Sequence, residues 1–393
     1  MTPLPIAAFT LVSALGRGQA AHARALRDGA SGLRAQAFEA SSFETWLGQV
    51  DGVDDERLPP ALARYDCRNN RLAALALRDD GFDDAVRRAV ARHGAHRVAV
   101  LVGTSTSGIL QTELAYRERG PDGALPAWLH YRETHDSASL AQFVREALGL
   151  AGPAWVISTA CSSGAKAYAA AARLLALGVV DAAVVGGCDS TCLTTLYGFR
   201  ALELLSGGAC RPWDARRNGL SLGEGASFAL LQRGGEAAAG WLLGCGESSD
   251  GHHMSSPHPE GLGAVAAMRA ALGDAQLQPG AVDYLNLHGT GTRSNDATED
   301  HAVCSVFGRQ TACSSTKGHT GHALGAAGAI EAAITLLALR HGVLPQGLHC
   351  EQPDPALQAN YLRQPQQRRI AVAASNSFGF GGSNACLIFG APR

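Results

Sequence analysis

The stretch from residue 154 to residue 178 constrains the fold most, because it joins an apolar strand to a helix of small residues. Ala154–Ile157 has the length and branched side chains of a buried strand, and Ser162–Leu177 is an alanine-rich helix that ends at Gly178. Cys161 lies on the turn between them. Because the N-terminal end of a helix stabilises an anion, we expect a thiol of lowered pKa that acts as a nucleophile. A buried structural role is commoner for a free cysteine, but the small neighbours of Cys161 leave room for a substrate.

Strands alternate with helices along the rest of the chain, which indicates an α/β architecture. Residues 4–16 are predicted to form a strand and a turn. Further predicted strands lie near residues 97–103, 181–187, 227–231, 241–245, 283–287, 312–316, 370–375 and 384–389, and the helices near 18–28, 137–149, 261–273, 296–306 and 323–341. Two pairs of segments echo each other. In the first pair, a strand leads into GTST at 103–106 and another into HGTGT at 288–292. In the second pair, CSSG at 161–164 before an alanine-rich helix is echoed by SSTKGHTGH at 314–322 before a helix rich in alanine and glycine.

The composition indicates a large, well-buried core. Of the 393 residues, 46% are hydrophobic and 17% are charged, which excludes a disordered chain. The net charge of −2 gives no reason to expect a nucleic acid or an anionic membrane as partner. The ten cysteines show no metal-like spacing, and a reactive thiol suits a reducing, cytoplasmic location. Residues 323–339 are apolar enough for a membrane helix, but they carry Glu331, and we interpret them as a buried core helix.

Four motifs, in this order along the chain, resemble those of one family. They are TACSSG (159–164), HGTGTRSND (288–296), STKGHTGHALGAAGAIE (315–331) and NSFGFGGSN (376–384). Together they are similar to the motifs of the β-ketoacyl-acyl-carrier-protein synthases, the decarboxylating condensing enzymes of the thiolase superfamily. The resemblance covers nearly the whole chain. It implies a thiolase-like α/β fold with five layers, αβαβα, built from two pseudo-duplicated halves, here residues 1–236 and 237–393.

The resemblance also assigns roles to a cysteine and two histidines. Cys161 would carry the acyl group, while His288 and His322 would hydrogen-bond the malonyl thioester carbonyl as CO₂ leaves. A lone histidine is more often structural than catalytic. His288 ends a predicted buried strand and His322 precedes a predicted buried helix, and each of them is next to a glycine. This placement makes them a better candidate pair. A donor placed at a developing oxyanion contributes about 2.7–4 kcal/mol.

Lys317 and Glu331 form the second candidate pair. Glu331 is the only charged residue within 323–339, and a buried carboxylate needs a partner. Lys317 is the partner that we expect, and in the family the matching pair supports the site. Thr290 and Thr292 are predicted to contact substrate. Asp296, in the same segment as Glu299, is either part of the site or the N-cap of helix 296–306.

The glycine-rich loop at 376–384 carries two phenylalanines, which without the resemblance would be core aromatics in a structural turn. By resemblance, the N–H groups of Phe378 and Cys161 form the oxyanion hole, and the Phe378 ring gates the pocket opposite Phe199. Phe380 is predicted to belong to the same gate. Thr106 matches the family position that limits how deep the acyl chain extends.

The implied function is elongation of an acyl chain by decarboxylative condensation, in a fatty-acid or a polyketide-like pathway such as that of the aryl polyenes. No metal and no bound organic cofactor are implied, because the phosphopantetheine arm arrives on the acyl carrier protein. The family implies a homodimer, or a heterodimer with a subunit similar to a chain-length factor. Two alternatives are a non-catalytic partner subunit of that kind, which would lack the cysteine nucleophile, and a thiolase, which uses a second cysteine as base.

Overall fold

The computed structural model describes residues 1–235 and 238–392, so the predicted boundary between residues 236 and 237 lies outside the described residues. The strands are β1 (Leu4–Ser13), β2 (Gly16–Arg17), β3 (Arg34–Gln36), β4 (Thr45–Gly48), β5 (Val98–Gly103), β6 (Ala154–Ile157), β7 (Ala182–Asp189), β8 (Leu222–Gly223), β9 (Gly225–Gln232), β10 (Gly240–Ser249), β11 (Tyr284–Asn286), β12 (Ala312–Ser314), β13 (Val343–Leu344), β14 (Asn360–Tyr361), β15 (Gln366–Gln367), β16 (Val372–Gly379) and β17 (Ser383–Gly390). The α-helices are α1 (Gly18–Asp28), α2 (Arg68–Arg78), α3 (Phe82–His93), α4 (Ile109–Arg117), α5 (Tyr131–Thr134), α6 (Ala138–Ala147), α7 (Ser163–Ala176), α8 (Leu193–Ala201), α9 (Leu262–Ala275), α10 (Arg293–Phe307), α11 (Lys317–Thr320) and α12 (Ala327–His341).

Both halves contain a sheet with the same strand order and the same strand directions. In the first half the order is β6-β5-β7-β9-β1, with β6, β5 and β7 parallel and the last two strands antiparallel to their neighbours. In the second half the order is β12-β11-β16-β17-β10 with the same directions, and β14 is added beyond β12. The sheets join where β1 pairs with β10. The α/β thiolase-like fold of two similar halves is therefore confirmed.

Five layers result from the way helices cover these sheets. Helices α7 and α12 lie between the two sheets and contact strands of both, α2, α3 and α6 cover the first sheet, and α9 and α10 cover the second. One buried apolar cluster surrounds the central helices between the two sheets, and each outer helix layer shares a further cluster with its sheet, as expected when amphipathic elements stack around a core.

The two central helices cross at very close range, and this contact positions the site. A Cβ on Gly164 would lie 2.9 Å from backbone atoms of Gly325 and Ala329, and a Cβ on Gly328 would lie 2.9 Å from the nitrogen of Ala165. Only glycine allows backbones this close. The crossing lies near the start of both helices, so the turn before α7 and the segment before α12 meet in one place.

Three expectations about individual elements need correction. Ala154–Ile157 is a strand, but it lies at the edge of the sheet with Trp155 53% exposed, because only β5 pairs with it. The sequence analysis missed α2 and α3, whose many alanines and charged residues carry a weaker signal than the apolar strands. The helix predicted at 296–306 begins earlier, at Arg293.

One helix, Leu324–His341, has the length and hydropathy of a membrane span, but 89% of it is buried inside the protein. It comprises a short 3₁₀ turn, Leu324–Ala326, followed by α12. The interpretation of this segment as a core helix agrees with that burial.

Candidate active site

Cys161 lies on the turn between β6 and α7, as the sequence predicts. The preceding residue, Ala160, has φ of +51°, a left-handed conformation that is costly for a residue with a Cβ and that often marks functional turns. The thiol is 6% exposed and its Sγ lies 3.0 Å from Nε2 of His322. A nucleophile and a proton acceptor are thus within hydrogen-bonding distance of each other.

The resting thiol is not acidified as we expected from its place at a helix end. Burial raises the pKa of Cys161 to about 12, and the nearby positive charge of Lys317 opposes this only in part. In a nearly dry cavity, desolvation of the thiolate outweighs the helix dipole. The thiol is therefore protonated at rest, and it must pass its proton to a neighbour in order to react.

The two predicted histidines converge on this thiol. His288 follows β11 and His322 lies between α11 and α12, and both are buried. Their rings meet edge to face with centroids 5.3 Å apart. Burial, together with the charge of Lys317, lowers the pKa of both imidazoles well below the usual value. Both rings are therefore neutral near pH 7, and each can accept or donate one proton.

Lys317 and Glu331 form a buried ion pair, with side chains 1% and 3% exposed. The Lys317 ammonium also donates to the main-chain carbonyl of His288. Burial raises the pKa of Glu331 to about 7, and the Lys317 charge opposes that rise. The pair thus links the first turn of α12 to the loop that carries His288.

Glu299 holds the His288 loop from the other side. Its carboxylate accepts from the main-chain N–H of His288 at 2.8 Å and of Gly289 at 2.7 Å. Asn376 donates to the same carboxylate at 3.2 Å. Burial raises the pKa of Glu299 to about 7.

Asp296 is not the N-cap of its helix. Thr292 is the cap, because its hydroxyl accepts from the N–H of Asn295. Asp296 is buried within the first turn and accepts from the N–H of Gly291 and of Trp213. It therefore organises the loop before the helix and does not cap it.

The glycine-rich loop uses its second phenylalanine where we had expected its first. Phe380, not Phe378, stacks on Phe199, with ring centroids 5.6 Å apart. The N–H of Phe380 also donates toward the Cys161 sulfur. Phe378 instead packs against the His288 ring at 5.9 Å. The ring that stacks on Phe199 and the main-chain N–H beside the thiol therefore belong to Phe380, because Phe378 is still part of strand β16.

These side chains enclose a cavity of about 70 Å³ above Cys161, which has room for only a few water molecules. The hydroxyls of Thr290 and Thr292 lie 2.9 Å apart, and both residues line it. The stacked Phe199 and Phe380 rings close one side. An acyl chain too long for this cavity can be accommodated only if the two rings move apart.

Thr106 lies outside that cavity. It lines a second cavity of about 360 Å³ together with Tyr131 and His135. Its hydroxyl donates to Asp189 at 2.7 Å, and Asp189 also accepts from the N–H of Ala326 at 3.0 Å. The sequence analysis missed Asp189, although a carboxylate at the end of the buried strand β7, AAVVGGCD, is the signal that could have identified it.

Comparison with known proteins gives a consistent result. Residues 66–237 match the model of the β-ketoacyl synthase N-terminal domain and residues 239–351 that of its C-terminal domain. The 3-oxoacyl-[acyl-carrier-protein] synthase 2 of Vibrio harveyi is 32% identical over 96% of both chains. Nodulation protein E of Rhizobium meliloti is 36% identical over 75% of this chain and 76% of that one. A ketosynthase solved in complex with its chain length factor, from Xenorhabdus doucetiae, superposes with a TM-score of 0.90 at 38% identity, covering 99% of this chain and 98% of the other.

Proposed function

The chain belongs to the β-ketoacyl synthase family of acyl-transferring condensing enzymes, and we propose that it elongates an acyl chain by decarboxylative condensation. In this proposal Cys161 holds the growing acyl group and malonyl-acyl carrier protein supplies the two added carbons. The observation that carries the proposal is the convergence of Cys161, His288 and His322. One sulfur or nitrogen atom of each lies within 4.8 Å of the others.

In the first half-reaction, Cys161 accepts the acyl group from a carrier phosphopantetheine thioester. The thiol proton passes to Nε2 of His322, 3.0 Å away, and the sulfur attacks the thioester carbonyl. The N–H groups of Cys161 and Phe380 donate to the tetrahedral oxyanion. The carrier sulfur then leaves and takes the proton from His322. This step leaves an acyl thioester on Cys161 and a neutral His322 ring.

In the second half-reaction, the malonyl thioester loses CO₂ and its electron pair moves onto the thioester oxygen. Once Cys161 is acylated, His322 has no thiol proton to accept and takes the tautomer with its hydrogen on Nε2. Ring N–H groups of His288 and His322 then both donate to that oxygen and stabilise the enolate. The enolate carbon attacks the acyl carbonyl on Cys161, and the cysteine sulfur leaves as a thiolate that takes up one proton from solvent. The products are a β-ketoacyl-carrier protein, CO₂ and the free thiol. The catalytic groups in both half-reactions belong to this chain, and the acyl and malonyl groups arrive on the carrier's pantetheine arm.

For the acyl group we propose a fatty-acid or polyketide-like chain, with an aryl polyene as the specific candidate. Thr106 is a compact residue, which fits an acyl chain of intermediate length, neither very short nor very long. The rings of Tyr131 and His135 stack at 4.8 Å beside the second cavity, and a flat conjugated chain would pack well against such rings.

The proposed partner subunit covers the open edge of the first sheet. Among the described residues, strand β6 pairs with β5 alone, and Trp155 and Tyr131 are each 53% exposed. Exposed strand edges and aromatic side chains of this kind favour association. The partner is a second copy or a subunit similar to a chain-length factor, and the Xenorhabdus ketosynthase was solved with such a factor.

All ten cysteines are free thiols, which favours a reducing location such as the cytoplasm.

The two alternatives are less well supported. A non-catalytic partner subunit has no use for a thiol aligned with a histidine at 3.0 Å. A thiolase needs a second cysteine as base, and the donor cluster among the described residues includes one cysteine only.

The two half-reactions are separable by variants of the histidines. His288→Ala is expected to lower CO₂ release from malonyl-carrier protein by about 10²–10³-fold, the usual effect of removing one oxyanion donor. It should leave acylation of Cys161 intact, because His322 faces the thiol. His322→Ala should slow both steps while leaving measurable acylation. Radiolabelled acyl transfer and labelled CO₂ release measure the steps independently. Loss of acylation alone in His288→Ala would overturn the assigned roles.

The oxyanion hole is tested by Gly379→Ala. A Cβ at this position would lie 2.7 Å from the main-chain oxygen of Thr159 and 3.2 Å from the nitrogen of Cys161. The collision moves the N–H of Phe380 away from the thiol, so acylation should fall by up to about 10²–10³-fold. Gly273→Ala in α9 is the matched control, because its Cβ would meet no atom within 4 Å. Wild-type acylation by Gly379→Ala would exclude Phe380 as the second donor.

A further inference from the structure

The cluster of Cys161, His288 and His322 has a second chemical capacity, because a thiolate and two imidazoles are also zinc ligands. The three donor atoms lie within 4.8 Å of one another, with the sulfur 3.0 Å from one ring nitrogen. Tetrahedral zinc with bonds of about 2.3 Å to sulfur and about 2.0–2.1 Å to nitrogen holds its donor atoms roughly 3.4–3.6 Å apart. Small side-chain rotations bring the observed distances to these values.

We propose that Cys161, His288 and His322 form an inhibitory zinc site, which is available only while the Cys161 thiol is free. Zinc would take the sulfur, one nitrogen from each ring and a water molecule from the cavity as its fourth ligand, as in open three-ligand sites. The thiol proton is released to solvent when the sulfur binds. No electron transfer is involved.

The surroundings make this a reversible site and not a structural one. The Lys317 ammonium lies beside His288, with its Nζ 3.4 Å from Nδ1 of that ring, and it repels a second cation. Glu331 neutralises Lys317, so the repulsion is reduced but not removed. In addition, Nδ1 of His322 is buried without a hydrogen-bond partner among the described residues, whereas strong zinc sites fix the second nitrogen of each ligating ring.

Acylation and zinc compete for the same sulfur atom. A thioester sulfur carries no charge and does not replace a thiolate as a zinc ligand. The acyl-enzyme is thus protected, and zinc should inhibit the first half-reaction. This inhibitory part of the inference rests on the proposed function, whereas zinc binding itself does not.

Zinc binding is measured without substrate, by competition with a chromogenic chelator on the chelator-washed full chain. We expect one zinc per chain and release of about one proton. Cys161→Ala and the near-isosteric Cys161→Ser should each weaken binding at least about 100-fold, since even removing a residue that only orients a ligand costs roughly 10–100-fold. Cys304→Ala, which removes a partly exposed thiol that is not one of the three clustered donors, should bind zinc like the wild type.

Inhibition is measured by acyl transfer to Cys161 with and without one equivalent of zinc. Acyl transfer should stop with zinc and return with excess chelator, and enzyme acylated beforehand should bind no zinc. Unchanged zinc binding in both Cys161 variants, or equal binding by the acyl-enzyme, would overturn the inference. Zinc binding as expected by a chain without any acyl transfer would leave the site intact and refute the proposed function instead.

Discussion

Cys161→Ala is expected to lower the rate of condensation by at least about 10³-fold. The acyl group then has no sulfur with which to form a thioester, and neighbouring side chains do not replace a lost nucleophile. Labelled acyl groups should no longer attach to the protein. The measurement is the rate of β-ketoacyl-carrier protein formation, with unfolding temperature recorded alongside it.

The control for this variant is Cys304→Ala, which should keep both activity and label. Transfer of the label to one of the other nine cysteines in the wild-type chain would contradict the assignment. Residual condensation by Cys161→Ala within tenfold of wild type would do the same.

Glu331→Ala is expected to destabilise the fold by about 3–5 kcal/mol, because it leaves the Lys317 ammonium buried and unpaired. It should also lower activity, since Lys317 holds the His288 carbonyl. Denaturant unfolding and condensation rate measure the two effects. Glu44→Ala, at an exposed position, should change neither.

A double variant separates the structural from the catalytic part of this role. Lys317→Met with Glu331→Leu replaces the ion pair with apolar side chains, which is often neutral or stabilising for a buried pair. It should recover much of the lost stability but little of the activity. If Glu331→Ala unfolds like the wild type, the pair contributes no stability and this account of it is wrong.

The fold was predictable from the sequence where the chain is apolar and regular. β5, β7 and the alanine-rich α7 lie within a few residues of their predicted bounds, because burial on both sides demands continuous apolar runs. The echo between residues 103–106 and 288–292 reflects equivalent strands, since β5 and β11 occupy the same place in the two sheets. The edge position of β6 was not predictable, because an apolar strand of four residues has the same pattern at an edge as in the centre.

The site was predictable in its residues but less so in its geometry. The motifs contained Cys161, His288, His322 and the Lys317–Glu331 pair, all of which the fold brings together. The sequence could not show which phenylalanine of NSFGFGG faces the thiol, because that depends on where strand β16 ends. It also could not show that burial would raise the pKa of Cys161, because the desolvation comes from residues distant in sequence.

The most direct test of the central claim is mass spectrometry of peptides from the wild-type chain after incubation with acyl-carrier protein. The account predicts an acyl adduct on the peptide that contains Cys161. It also predicts that this adduct is lost when malonyl-carrier protein is added, in step with release of CO₂ and formation of β-ketoacyl-carrier protein. An adduct on another residue, or condensation that proceeds without any adduct on Cys161, would contradict the account.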